Sequence, residues 1–349
     1  MKTMLELPDL AAEAGRIQES KRDFLADTRN LTFYVSDSGR PALALDTSDG
    51  TLGFPLNAHA EGQIASRLKV PKRFWDRLIE DYPDELVEMV RAMFVKEHEE
   101  RMLRTLDGKG RAFLSNRYRR IDNVDILTQA IVPAFSQFPE VEIRSAAITD
   151  TKMHVKATFP NVEAEIRVGE IMRAGVAISN SEVGAGGFNV SLFTEVLLCT
   201  NGMIGEKLLN KTHTGSRLTG DDDGSIFSDE TLAAADKATM LEARDLILSA
   251  ADSAKFEALV ASCRGLTEIE VEAPAPKAVE ELGDRHDLTE TEQESILDHL
   301  IRGGDFTAWG YTNAVTRTAE DADDYERATE LERLGGKLVE LPAQDWRFN

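Results

Sequence analysis

The sequence predicts an α+β protein, an antiparallel meander sheet with packed helices, continued by a mostly helical, acidic C-terminal region. Two observations carry this. Residues 105–220 alternate short apolar runs with turn residues around one helical stretch, and residues 221–349 are punctuated by helix starts and stops. Three segments follow: N-terminal strands and a helical hairpin over 1–100, an α+β core over 101–220, and the acidic helical region over 221–349.

Taken in order, residues 1–57 read as a short amphipathic helix and then strands, with LTFYV (31–35) and PALALDT (41–47) parted by Ser36-Asp37-Ser38-Gly39. A helix over Gln63–Leu68 ends before Val70-Pro71. Pro71 then suits the start of KRFWDRLIEDY, and Pro83 that of PDELVEMVRAMFVKEHEERM. LDGKGRAFLSNRYRRI is a strand pair around a glycine turn, and Asp122 or Asn123 is placed to cap the helix VDILTQAIVPAF. Three strand regions follow, VEIRSAAITD, MHVKATFP and AEIRVGEIMRAGVAIS, with Asp150-Thr151-Lys152 as a hairpin turn. FNVSLFTEVLLCT closes the core as a strand or a helix. Beyond the solvated Asp221-Asp222-Asp223-Gly224, one long helix runs from about Asp229 to Cys263, with Ser228 as cap and Gly265 as stop. EAPAPK breaks the chain, Thr289 and Glu292 have capping-box spacing ahead of a helix ending at Gly303-Gly304, and a last helix ends at Gly335-Gly336.

The net charge of −22 is uneven: residues 221–349 hold 12 Lys+Arg against 31 Asp+Glu, a net of −19, and residues 1–220 a net of −3. Within 101–120, Arg101, Arg104, Lys109, Arg111, Arg117, Arg119 and Arg120 face only Asp107, a local +6. Exposed charges further apart than about 8–10 Å are screened from one another, so the acidic total does not exclude an anionic partner for this segment. No apolar run approaches the ~18 residues of a membrane helix, and the amphipathic, acid-interrupted N-terminus does not fit a signal peptide. Two cysteines form no disulfide framework or CxxC motif, which suits a reduced, cytoplasmic protein.

Neither GKGRA (108–112) nor GMIGEKLLNKT (202–212) is a Walker loop, and GAGGF (184–188) is not a dinucleotide fingerprint, so these glycines read as turns. His213 near Asp221, Asp222 and Asp223 suggests a hard-cation site, but an unbroken acidic run is better explained as a linker. His286 and His299 lack a second ligand at helical spacing. Ser179 and Ser181 have no neighbouring histidine, and Cys199 after an apolar run reads as a buried small residue. Hence no catalytic residue, metal or cofactor is assigned. Residues 60–79 have helix-turn-helix flavour, and Lys72, Arg73 and Arg77 would contact phosphate if the second helix entered a groove. Without a glycine in the turn, and with Phe74 and Trp75 suited to a core, a structural hairpin is the expectation.

SNRYRR (115–120) is the strongest nucleic-acid candidate. On a strand, Arg117 and Arg119 share one face and Tyr118 and Arg120 the other, offering phosphate grips and a stacking ring. With Arg104 and Arg111 these form the candidate binding set. Ser179, Asn180, Ser181, Glu182, Gly184, Gly187 and, further on, Asn201 form the candidate turn or groove, since closely spaced glycines fix unusual backbone shapes.

With those residues in view, the chain resembles the phage/plasmid-like proteins grouped under domain of unknown function 932. The matching pieces are Arg104-Thr105-Leu106 through SNRYRRID, then GVAISNSEVGAGGFNV, LLCTNGMI, Thr312-Asn313-Ala314-Val315-Thr316 and Gly335-Gly336. The resemblance implies a mobile-element protein in a bacterial host and transfers no activity. The helix followed by a glycine-bounded meander is also similar to single-strand annealing proteins, which implies rings or filaments that bind a strand through basic residues. The expectation is a non-enzymatic accessory protein that binds single-stranded nucleic acid, with homo-oligomers and a host or phage protein as further partners. The alternatives are a module that recruits or inhibits a host factor through its acidic half, and a metal-dependent nuclease.

Overall fold

The computed structural model describes residues 5–48, 50–197, 201–213 and 229–348. The chain is α+β, with antiparallel sheets and a helical C-terminal region. It opens with α1 (Leu7–Ser20), whose Leu10, Ala14 and Ile17 are a buried stripe at helical spacing. β1 (Arg22–Asp27) is followed by β2 (Leu31–Val35), β3 (Pro41–Thr47) and β4 (Gly50–Pro55), the last three forming one sheet. Against it lie α2 (Ala58–Arg67), α3 (Lys72–Asp81) and α4 (Pro83–Lys96), which bury Ile64, Trp75, Leu86, Val90 and Phe94 with Phe33, Leu43 and Phe54. Phe74 is no core residue; it is 50% exposed while its neighbour Trp75 is fully buried. The third helix also stops short of its expected end at Met102, because Glu100 onward is drawn into a strand.

β5 (Glu100–Leu106) and β6 (Lys109–Ser115) join β1 in the order β1-β5-β6. Asp107 and Gly108, at φ 50° and 74°, make the left-handed two-residue turn between them. α5 (Asn123–Ile126) and α6 (Val132–Phe135) are one helical run with a π turn over Leu127–Ile131. Pro133 has no N–H for the helical ladder, and the widened turn before it absorbs that loss.

The central sheet has the order β11-β10-β9-β8-β7, a five-stranded meander. Its strands are β7 (Glu142–Ile148), β8 (Met153–Arg167), β9 (Glu170–Asn180), β10 (Phe188–Val196) and β11 (Asn201–Lys211). MHVKATFP and the AEIR that opens the third expected region are thus a single strand, β8, and the EIMRAGVAIS that ends that region lies in β9. The chain passes Pro160 with a shift of register between Thr158 and Glu163 and reverses instead at Val168-Gly169. The run after the glycine-rich turn is a strand.

The C-terminal region consists of α7 (Asp229–Ser249), α8 (Ser253–Thr267), α9 (Ala275–His286), α10 (Glu290–Gly303), α11 (Ala308–Asp321) and α12 (Tyr325–Val339). The single long helix expected to Cys263 is broken after Ser249, and Asp252 Oδ1 caps the second piece by accepting from Ala254 N at 2.8 Å. Gly265 lies inside α8 and stops nothing. The Thr289–Glu292 capping box is formed, and Gly304 ends α10 at φ 66°. Gly335 and Gly336 do not end the last helix; they lie within it. A Cβ on Gly335 would stand 2.1 Å from Thr316 Cγ2, and one on Gly336 2.1 Å from Ile204 O, so this pair lets α12 touch α11 and β11. Ser228, Cys199 and Asp221–Gly224 lie outside the described residues.

Both faces of the central sheet are covered. Met153, Val155, Ala157 and Phe159 of β8 point to a layer of α1, α5–α6 and α7. Farther along the same face Met172, Ala174, Val196 and Met203 pack with α8–α12 around Trp309, Tyr311 and Trp346. The opposite face is covered by α12, where Ala177, Phe193 and Ile204 cluster, Lys156 pairs with Glu332 and Arg333 approaches Ser179. These clusters cross residues 100 and 220: Leu103 and Phe113 belong to the N-terminal core, and the C-terminal helices complete both faces of the sheet. Among the described residues no helix is long and apolar enough to cross a membrane.

Candidate nucleic-acid interface

The candidate residues from two distant stretches do meet, at the end of the central sheet, but burial divides them. Arg104 is 0% exposed at the centre of an ion network. Its Nε donates to Asp23 Oδ1 (2.8 Å), Nη2 to Asp122 Oδ1 (3.0 Å) and Nη1 to the Glu182 carbonyl (2.8 Å). Arg111 Nη2 donates to Glu182 Oε2 at 2.6 Å, and Lys21 Nζ lies 2.7 Å from Asp122 Oδ2. Three cations (Lys21, Arg104, Arg111) thus face three carboxylates (Asp23, Asp122, Glu182). Such a group is tolerable out of water only when complete, because an unpaired buried charge costs several kcal/mol. Burial pushes the Asp122 carboxyl up, yet Arg104 and Lys21 outweigh it and hold the group below the usual carboxylate range.

Glu182 does a second job. Its Oε1 accepts from Asn123 N at 2.8 Å, so a residue 59 positions away serves the helix start where Asp122 or Asn123 is expected to cap. The Asp122 side chain makes no cap bond, being taken up by Lys21 and Arg104. A carboxylate at a helix N-terminus also meets the positive end of the helix dipole.

The turn itself is tied at nearly every residue. Ser181 Oγ donates to Thr151 O (2.8 Å) and accepts from Ala185 N (2.9 Å). His59 Nε2 and Gln63 Nε2 both reach Val183 O, at 2.8 and 2.7 Å. Gly184, at φ +79°, occupies a left-handed backbone position, and a Cβ there would also meet Leu114 at 2.6 Å. A Cβ on Gly187 would stand 2.5 Å from Lys211 O. Asn180 Nδ2 donates to Ile121 O and Asn123 Oδ1, at 2.9 and 2.8 Å. Ser179 lies on the opposite face, where Arg333 Nη2 approaches its hydroxyl at 3.4 Å. Asn201 is not part of this turn; it is buried at the start of β11 and bonds Asn313 and Thr316 of α11.

SNRYRR is not the strand expected. β6 ends at Ser115, and Tyr118 N closes a turn on Ser115 O at 3.1 Å. Tyr118 offers no stacking platform, since its ring lies flat on His213 (centroids 5.0 Å apart, 7° between planes) and its hydroxyl donates to Ser181 O at 2.9 Å. Burial pushes its phenol well above the usual tyrosine value. Arg119 Nε donates to Asp236 of α7 at 2.7 Å. His213 Nδ1 is 3.0 Å from Arg119 O and Nε2 3.1 Å from Asn180 Oδ1, so both ring nitrogens face oxygens of the fold, and whichever carries the proton of the neutral ring donates to its oxygen. Only Arg117 and Arg120 remain exposed. Arg117 makes no hydrogen bond or ion pair among the described residues, and Arg120, 56% exposed, reaches Asp23 at 3.2 Å.

Chemically, the arrangement is a clamp. Asp23, Asp122 and Glu182 converge, but a cation stands against each, and among the described residues no three His, Cys, Asp or Glu side chains are grouped to hold a metal ion. Lys21, Asp23, His59 and Gln63 were not visible as partners in the sequence: Lys21 is 101 positions from Asp122, Asp23 81 from Arg104, and His59 and Gln63 are 124 and 120 from Val183, with no pattern linking them. His213 stood out in the sequence, though for a metal site and not for this stack.

Fold and site together define a three-layered α+β protein whose central sheet ends in a turn locked by buried ion pairs. Comparison with family models, with curated proteins and with solved structures gives no match. Function is therefore argued from the site.

Proposed function

We propose that the protein is a non-enzymatic binder of single-stranded nucleic acid, of the phage or plasmid accessory kind, working in the cytoplasm of a bacterial host. The observation that carries this reading is the pair of exposed arginines, Arg117 and Arg120, on a turn that the buried network holds still. Arginine is suited to phosphate by its planar fork, and preorganised donors lose little freedom on binding. Arg104, Arg111, Tyr118 and Arg119 are then supports for that surface and not contacts. The resemblance to annealing proteins points the same way.

The test is binding of a fluorescent single-stranded oligonucleotide across a salt series. Wild type should bind at low salt, and replacing Arg117 and Arg120 by alanine should weaken binding and lower the log–log salt slope by roughly 0.7 per arginine. No binding at low salt, or an unchanged slope, rejects the reading.

A second reading has its own observation. Val168, Ile301 and Phe306, 97%, 60% and 46% exposed, lie close in the chain to the residues of the Arg167–Asp305 ion pair, at an acidic helical end that also exposes Glu270, Glu272 and Asp298. Apolar side chains ringed by charge mark a protein-binding surface, here for a basic partner. The full chain should retain such a partner from a host extract in low salt and lose it with Phe306→Asp. Residues 221–349 alone are a poor bait, because their core is completed by the central sheet.

A further inference from the structure

A cavity of about 270 Å3 lies between α10, α11 and the β8–β9 hairpin, lined among others by Arg167, Glu170, His299, Asp305, Asn313 and Arg317. All but one of its charged groups are matched. Glu170 accepts from Arg167 Nε (2.7 Å), Trp309 Nε1 (3.0 Å) and Asn313 Nδ2 (3.3 Å). Asp305 Oδ2 accepts from Arg167 Nη2 at 2.6 Å, and His299 Nε2 lies 2.8 Å from Asp321 Oδ2. Arg317 has no hydrogen bond or ion pair among the described residues; its Nε is shut off from water and so from the cavity as well, which leaves Nη1 and Nη2 as its open donors. A guanidinium that lines a cavity with no carboxylate against it is free to take an anion there.

From this geometry we infer that the cavity is a binding site for a small oxyanion-bearing ligand, with Arg317 as its anchor. The guanidinium fork fits a carboxylate or a phosphate, which would accept from Nη1 and Nη2. The volume lies just under the ~300 Å3 at which pockets for drug-sized ligands begin, so the ligand is small. Arg167 cannot serve as anchor, since Glu170 and Asp305 divide it. The site is distinct from the Arg117–Arg120 surface and stands or falls separately from it.

The experiment is thermal unfolding of the full chain titrated with inorganic phosphate and, separately, with acetate, each against chloride at equal ionic strength. Wild type should melt higher with one or both oxyanions, and Arg317→Gln should remove the difference, weakening the apparent affinity about tenfold or more. The arm with the larger shift identifies phosphate or carboxylate as the group taken. Without ligand, Arg317→Gln should fold and melt no lower than wild type, because it breaks no pair. Equal response in the variant, a wild-type response no larger than with chloride, or an unfolded Arg317→Gln overturns the inference, the last by showing that Arg317 supports the fold. Arg317→Lys, which keeps the charge but loses the fork, should fall between the two; an unchanged response would also count against it.

Discussion

Glu182 illustrates how one side chain can hold two distant parts of this chain together. It neutralises Arg111, caps α5 through Asn123 N and, with its carbonyl, takes a bond from Arg104. Glu182→Gln keeps the shape but leaves buried cations underbalanced, so it should cost about 3–5 kcal/mol, read as a lower midpoint in chemical denaturation with the slope unchanged. Arg120→Ala, at an exposed pair, should cost less than about 1 kcal/mol. The sequence does single out Arg104, Arg111 and Glu182, but as surface binders and turn formers. A local excess of charge says nothing of exposure, and the carboxylates that swallow these arginines come from residues 23, 122 and 182. The histidines give a separate prediction. Burial lowers His154 below 6.5 despite Glu326 beside it, and burial likewise lowers His213 and His286. The folded chain then binds fewer protons than the unfolded one just below pH 6.5. Stability is complete above that pH and falls as pH drops through it toward the folded values. Glu326, lowered overall by His154 and Lys152 against its burial, adds stability that is present above 4.5 and lost on further acidification. His154→Gln should flatten the first part of that decline in denaturation measured at successive pH values; an equally steep decline would show that His154 does not contribute to it.

At the scale of elements, boundaries were legible wherever local chemistry sets them. The Thr289–Glu292 box and Gly304 frame α10, and Ser36–Gly39 separates β2 from β3, because capping and turn bonds involve neighbours in sequence. Boundaries set by tertiary contact were not. Gly335-Gly336 looks like a stop, yet the helix continues because those positions lie against Thr316 and the Ile204 carbonyl. This separates two kinds of glycine by experiment. Gly336→Ala places a methyl 2.1 Å from backbone, which must shift, and should destabilise by about 1–3 kcal/mol. Gly303→Ala, in the last turn of α10 with nothing within 4 Å of the new Cβ, should be neutral or stabilise by up to about 1 kcal/mol. Equal melting temperatures for the two variants would mean that α12 does not rest on β11 as described.

For the whole molecule, the split of charge into −3 over residues 1–220 and −19 over 221–349 is plain in the sequence, but its internal use is not. Acids of the second part bind cations of the first: Lys152 and His154 meet Glu326, Lys156 meets Glu332, Arg119 meets Asp236 and Lys211 meets Glu242. Lys156 and Glu332 are both largely buried, so these are contacts within the fold and not merely a screen of surface charge. Beneath them Met172, Ala174, Val196 and Met203 need the apolar sides of α8–α12, and those helices need the sheet. Neither part then has a complete core alone. A chain ending at residue 228 should bind a hydrophobic dye, aggregate and melt without a cooperative transition, and residues 229–349 should be weakly helical by circular dichroism. Mixed at low salt, the two fragments should recover native-like helix content and elute together in gel filtration, with recovery weakened in high salt as exposed members of the ion pairs are screened. A sharp, cooperative melt of the shorter N-terminal fragment alone would show instead that the central sheet folds without its acidic helices.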